Sequence, residues 1–371
     1  MGLSMGKYSV WIRSFIGVCL SVCMTLAAAA PARPQTPQPP FPYAEKELAF
    51  ESPFEADVRL AGTLVMPAGK GPFPAVLLLN GPGQQDRDAT VLGHKPFAVI
   101  ADYLARRGIA SLRVDDRGVG RSQGALSELT TAVSAADAAA ALSMLRGQAG
   151  IDPARVGAIG HSEGAVIAAM LAAEPSNRVA FVVLLAAPGV NHDQNIQYQI
   201  ENFARAAGES DKVIRSKLRA QVRLDAVVTR NPRLSTEDLV EALLKTVMDM
   251  SPQTNPEQAR RAVLAFTRPW MRYYLALDPV TVMEHVRCPV LALSGEKDMQ
   301  VRAQDNLGPI ERAFERSGNK DATVSILPGL NHLFQSANTG AINEYDKIEE
   351  SFSPLALKMF GDWIEMRTRG K

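Results

Sequence analysis

"GAIGHSEGAV", residues 157–166, sets a serine between glycines at the end of an apolar run. The pentad Gly160-His161-Ser162-Glu163-Gly164 fits G-x-S-x-G, but such a pentad arises by chance in about one chain in ten of this length. Its flanks must therefore decide. "VGAIG" before the serine reads as a buried strand and "EGAVIAAMLAAE" after it as a helix, so Ser162 stands at the corner of a strand, tight turn and helix. Glycines on either side permit so sharp a turn and lift the hydroxyl above a sheet. The plainer reading is a serine that caps the helix N-terminus.

Working outward, apolar runs bounded by Gly and Pro recur: "VRLAGTLVMP", "PAVLLLNG", "ASLRVDD", "AFVVLLAAPG", "PVLALSG" and "TVSILPG". Most are continuous, as in strands buried on both faces. Helical stretches alternate with them: "KPFAVIADYLARRG", "TTAVSAADAAAALSMLRGQ" and "PIERAFERSG". Alternation of this kind predicts an α/β fold, a mostly parallel sheet with helices on both faces. The first run reads as an antiparallel strand leading in. From about residue 191 to 283 the alternation stops and a polar, helical stretch takes over, read as an insertion between two sheet strands. A cap over an active site is its functional reading and a peripheral packing module the alternative.

A serine hydroxyl is a weak nucleophile until a base takes its proton, and the base needs an acid to hold its tautomer. In a fold of this kind the partners follow in the order Ser, Asp, His, each beyond a strand. "PVLALSGEKDMQV" puts Asp298 beyond one late strand, and "TVSILPGLNHLF" puts His332 beyond the next. Of the five histidines, His161 adjoins the serine and is expected to point away, His94 precedes a helix, and His192 and His285 flank the insertion. Glu296 is the rival acid, although Asp298 lies deeper in its loop. Donors for an oxyanion are expected from the Glu163 amide and from "LLLNGPGQQDRD". Pro82 in that loop has no amide proton, which leaves Gly81 or Gly83.

"DDRGVGRS" (115–122), "GHSEG", "SGEKDMQV" and "LPGLNHLFQ" resemble the α/β-hydrolase superfamily. With "NGPGQQDRD", "GHKPF", "LARRGIASLRVDDRGVG" and "NHLFQSANTG" followed by "EY", the chain from about residue 48 onward is similar to bacterial serine esterases often labelled S9-type or serine-aminopeptidase-like hydrolases. The resemblance implies the α/β-hydrolase fold and a carboxylesterase-type triad of Ser162, Asp298 and His332, with no cofactor. Pro82 departs from the small residue that the group tends to show there. Asp116 and Arg117 are expected to form a turn-stabilising ion pair, and Asp86 and Arg87 to brace the oxyanion loop.

The whole chain has 371 residues, 46% hydrophobic and 21% charged, with a formal net charge of +1. Scattered Lys and Arg leave no basic footprint for nucleic acid. Residues 1–30, with Lys7 and Arg13 before "SFIGVCLSVCMTLAAAA", read as a secretory signal peptide, and 31–43 as a Pro-rich, extended spacer before the hydrolase domain of 44–371. Export to the periplasm or medium is expected, with a retained anchor or a lipoprotein at "LSVC" as alternatives. Outside that leader the one cysteine, Cys288, reads as a buried apolar residue. No metal motif is present, and Ser294-Gly295-Glu296-Lys297, an S-x-x-K match, ends a strand where that chemistry wants a helix start.

The expected activity is cleavage of a small-molecule carboxylic ester through an acyl-enzyme. A peptidase on the same triad is the first rival and needs a cap carboxylate for the substrate amine, Glu201 and Asp211 being candidates. A non-catalytic binding protein is the second. Trp270 and Tyr273, in the aromatic cluster of residues 268–279, are candidates for lining an acyl pocket.

Overall fold

The computed structural model describes residues 31–369, so the expected signal peptide lies outside the described residues. Its strands are β1 (Ala44–Glu51), β2 (Arg59–Met66), β3 (Phe73–Leu79), β4 (Ala110–Val114), β5 (Ile151–His161), β6 (Val182–Leu185), β7 (Val290–Gly295) and β8 (Ala322–Leu327). Helices α1 (Pro96–Ala105), α2 (Thr131–Arg146) and α3 (Glu163–Ala173) come between the early strands. After β6 follow α4 (His192–Ala206), α5 (Asp211–Arg230), α6 (Thr236–Met250), α7 (Pro256–Val263), α8 (Pro269–Ala276) and α9 (Pro279–Met283). Helices α10 (Ala303–Ser317) and α11 (Pro354–Thr368) complete the series.

The sheet runs in the order β1-β2-β4-β3-β5-β6-β7-β8. Pairs β1/β2 and β2/β4 are antiparallel and all later pairs parallel. Strand periodicity sends alternate side chains to opposite faces. Ala75, Leu77 and Leu79 of β3 enter one core with Leu142, Ala165 and Ile310 from α2, α3 and α10. Val76 and Leu78 enter the other with Ile100 and Phe360 from α1 and α11. Continuous apolar strands are the consequence of having a core on each side.

Three details differ from the sequence reading. Residues 31–43 are no free spacer: Arg33 donates to the carbonyls of Leu92 and Asp346, and Gln35 accepts from the amides of Ser351 and Phe352. Side-chain hydrogen bonds hold the first part of this segment, and Tyr43 at its end packs on Val65, Ala101 and Ala105. Strand β1 carries four charged residues, Glu45, Lys46, Glu47 and Glu51, and buries only Leu48 and Phe50, which hid it. Helix α10 starts at Ala303, with Pro309 inside it and not at its start, because Ala303, Leu307 and Ile310 all reach the core.

Among the described residues, 191–278 with 127–130 form one compact unit and the remainder another. The helical unit has its own core, built from Ile196 and Ile200 of α4, Leu224 and Val228 of α5, Leu239 and Leu243 of α6, and Phe266. The short helix α9 belongs to the sheet unit, five residues of the expected insertion.

Candidate active site

Strand β5 ends at His161, and α3 begins at Glu163, which leaves Ser162 alone to turn the chain. Ser162 does so at φ 57° and ψ −121°, a conformation that costs a non-glycine residue of order 1–3 kcal/mol. Its side chain makes no capping hydrogen bond, so the plain helix-cap reading does not describe it. The flanking glycines serve clearance instead of the turn. A Cβ on Gly160 would stand 2.0 Å from the Gly164 oxygen, and one on Gly164 would stand 2.2 Å from the Leu79 oxygen. Only bare backbone lets helix and strands approach so closely.

Beyond β7, Asp298 is 3% exposed, and its Oδ1 accepts the amides of Gln300 and Val301, each at 2.8 Å. Its Oδ2 lies 2.8 Å from His332 Nδ1. A buried carboxylate so held fixes the ring with Nδ1 towards it. Glu296, the rival acid, is exposed and accepts the Gly329 amide. His332 sits on a loop shaped by Asn331, whose Oδ1 accepts the amides of Leu333 and Gln335.

The same loop is tied to the segment that carries Asp298. Glu344 accepts the amides of Thr339 and Gly340, which holds its carboxyl below the usual range, and a Cβ on Gly340 would stand 1.9 Å from the Lys297 oxygen. Gln300 donates to the Tyr345 hydroxyl at 3.2 Å. The "GHKPF" histidine, His94, is fully buried, its ring nitrogens 3.0 Å from Ser351 Oγ and 2.9 Å from the Tyr345 oxygen.

His161 does not point away from the site. Its Nε2 lies 2.8 Å from the His332 oxygen, and the two rings sit 4.7 Å apart. Burial, with the neighbouring His332, pushes it down to about 3, so it stays neutral and its Nε2–H donates. Sequence elimination missed this because a histidine beside a serine gives no sign of its direction.

Around the expected oxyanion loop, Gly81 stands against the serine: a Cβ there would lie 3.4 Å from Ser162 Cβ and 3.8 Å from Oγ. Gly83 adopts φ 111°, open only to glycine-like backbone. Asn80 donates to the Asp86 oxygen, Asp116 accepts the Gln85 amide at 2.9 Å, and Asp86 accepts the amides of Asp88 and Thr90. Arg87 pairs with Asp115 at 2.7 Å and Glu47 at 2.8 Å. The expected Asp116–Arg117 pair is absent: Arg117 instead pairs with Asp137 at 2.6 Å and Glu55 at 2.9 Å. Burial, with the charges of Glu163 and Asp115, pushes Asp116 up to about 8. Glu163 itself is 4% exposed and accepts the Thr131 hydroxyl at 2.5 Å, which fastens α2 to the serine turn.

Trp270 and Tyr273 lie on α8 in the helical unit, where Trp270 stacks on Tyr274 at 4.6 Å and packs on that unit's core. Burial raises the Tyr273 hydroxyl above its ordinary range. Glu201 and Asp211 both pair with Arg205, at 2.9 and 3.1 Å. Cys288 is pushed up to about 12 by burial and packs against the core. Ser294 is fully buried within β7. Among the described residues no group of acidic, His or Cys side chains could hold a metal, and no helix is long and apolar enough to cross a membrane.

A parallel sheet entered by an antiparallel hairpin, with a strained serine after β5 and an Asp–His pair after β7 and β8, defines the α/β-hydrolase fold. The family model described as "Serine aminopeptidase, S33" matches residues 95–336, and the chain belongs to that hydrolase family. It is 26% identical over 282 residues to Esterase EstD of Thermotoga maritima, covering 75% of this chain. The match spans only 58% of that relative's length. Among solved structures, hypothetical protein PA2218 of Pseudomonas aeruginosa superposes with a TM-score of 0.55 at 16% identity, covering 90% of this chain and 96% of that one. Alpha/beta hydrolase GrgF of Penicillium sp. superposes at 0.53 and 16% identity, over 88% and 100%. At such identities the likeness shows the fold.

Proposed function

We propose that this protein is a serine esterase, cleaving a small carboxylic ester through an acyl-enzyme. Ser162 attacks the carbonyl, His332 takes its proton and returns it to the leaving alcohol, and Asp298 orients and stabilises the imidazolium. The amide of Glu163, with one from Gly81 or Gly83, holds the oxyanion. Water then repeats the sequence to release the acid. The observation that carries this reading is a serine held at φ 57° with no capping bond, in a chain whose Asp298 and His332 form a buried 2.8 Å pair. The likeness to an esterase supports an ester substrate.

A second reading, peptidase activity on a substrate with a free amine, is favoured by one observation. Asp225 in the helical unit is buried, its Oδ2 has no hydrogen-bond partner, and burial pushes it up to about 7. Against it, Glu201 and Asp211 are already paired with Arg205. The test is kcat/KM on p-nitrophenyl esters of rising acyl length beside aminoacyl p-nitroanilides. Faster ester cleavage, absent in Ser162→Ala, supports the esterase; preference for the anilides makes the protein a peptidase. Covalent labelling of Ser162 by a fluorophosphonate separates both from a non-catalytic binding protein. Export is also proposed, supported by residues 1–30, and the N-terminus of the mature protein tests it.

A further inference from the structure

The stretch "GHKPF" and the "EY" after "NHLFQSANTG" take no part in the reaction written above, yet the fold sets His94 of the one against Tyr345 of the other. His94 Nε2 lies 2.9 Å from the Tyr345 main-chain oxygen, which can only accept, so Nε2 carries the ring proton. Nδ1, 3.0 Å from Ser351 Oγ, then accepts the serine hydroxyl. Burial, with Arg33 nearby, holds the imidazole below its ordinary range, in keeping with one nitrogen left to accept. His94 is itself fixed by two backbone bonds to Val91, at 2.8 and 3.0 Å. On the other side of Tyr345, Arg33 donates to the Asp346 oxygen at 2.8 Å, and Glu344 accepts the amide of Gly340, which lies flush against Lys297. The backbone at residue 345 is therefore held on both sides.

The Tyr345 side chain is 2% exposed, and its hydroxyl has one hydrogen-bond partner, Gln300 Nε2 at 3.2 Å. A phenylalanine would fill the same space without the cost of desolvating a hydroxyl, so the bond to Gln300 is what the tyrosine adds. Gln300 is held at both ends, because its main-chain amide donates to Asp298 Oδ1 at 2.8 Å. Burial, with the charge of Asp298 nearby, raises the Tyr345 hydroxyl above its ordinary range and keeps it a neutral phenol. Asp298 Oδ2 faces His332 Nδ1, so a swing of residue 300 would turn the carboxylate relative to the ring. Misplacing a reacting group by 1 Å can cost a factor of about 10² in rate.

We infer that Tyr345 is a positioning residue for Asp298: through the Gln300 side chain it fixes the turn of residues 298–301, and with it the direction of the carboxylate towards His332. The inference rests on the function proposed above only in taking Asp298 as the acid of the triad. Every bond that carries it lies within the sheet unit.

The experiment uses the full chain carrying Tyr345→Phe, which keeps the ring and loses the bond. With p-nitrophenyl butyrate as substrate, kcat is expected to fall about fivefold with KM unchanged. Gln300→Met, at a half-buried position, breaks the same bond from the other side, keeps the main-chain amide and should show the same loss. The double variant should be no worse than either, since all three lack one and the same bond. An unchanged kcat in either single variant, a loss that falls on KM, or losses that multiply in the double variant would overturn the proposal. A second readout needs no substrate: the proton between His332 Nδ1 and Asp298 Oδ2 should give a far-downfield proton NMR resonance that moves in both single variants. A resonance at the wild-type position in both overturns the proposal as well. Failure of the wild-type chain to cleave any p-nitrophenyl ester would sink the esterase function and leave the NMR comparison to decide the role of Tyr345.

Discussion

His161 Nε2 donates to the main-chain oxygen of His332, 2.8 Å away, so the residue just before the serine holds the backbone of the proposed base. Serine and base are thereby positioned by one hydrogen bond as well as by separate strands. Removing the donor with His161→Phe, which keeps a ring in the space, should lower kcat about tenfold with little change in KM, since the loss falls on geometry and not on binding. Steady-state kinetics on p-nitrophenyl butyrate checks this; an unchanged kcat would make His161 only a packing residue.

Ser162 should be the site of a trade between activity and stability. Ser162→Ala is expected to lower kcat by about 10⁴-fold or more. Ser162→Gly should be equally inactive but melt higher than Ser162→Ala, because glycine adopts φ 57° without strain, a gain of about 1 kcal/mol. Equal melting of the two variants would mean that the strain is not borne at this residue.

Asp298→Asn is expected to lower kcat by about 10⁴-fold while leaving the fold intact, because an amide donating to Nδ1 selects the wrong tautomer of His332. Glu296→Gln should cost little, as Glu296 is exposed and bonds only the Gly329 amide. Comparable losses in the two variants would reopen the choice of acid.

The titration of Asp116 gives a pH prediction with a definite sign. Its carboxyl is raised to about 8 when folded, against about 4 unfolded. The folded chain therefore binds the extra proton between those values, and the contribution to stability is complete below pH 4 and lost as pH rises towards 8. Asp116→Asn, which can still accept the Gln85 amide, should flatten this part of the Tm–pH curve. A curve of unchanged slope would show that Asp116 is ionised in the folded chain.

Two glycines should behave oppositely. Gly164→Ala would push a Cβ to 2.2 Å from the Leu79 oxygen, and a Tm lower by about 10 °C or a failure to fold is expected. Gly81→Ala meets Ser162 Cβ at an ordinary 3.4 Å, so the fold should stand while the crowded nucleophile loses activity by about tenfold or more. Circular dichroism melts beside ester kinetics separate the two cases.

The α/β order was legible in the sequence because strands with a core on each side must be apolar at every position, as in "PAVLLLNG", and such runs need no partner to be recognised. The proposal of Ser162, Asp298 and His332 rests on a related pattern: each follows a recognisable strand, and their order along the chain is set by the topology. Directions and partners were decided only by the tertiary structure. Nothing local tells that His161 turns towards His332, that Arg117 takes Asp137 and not Asp116, or that Thr131 reaches Glu163 across 32 residues of sequence. Those bonds depend on which strands lie side by side and on what burial leaves unpaired.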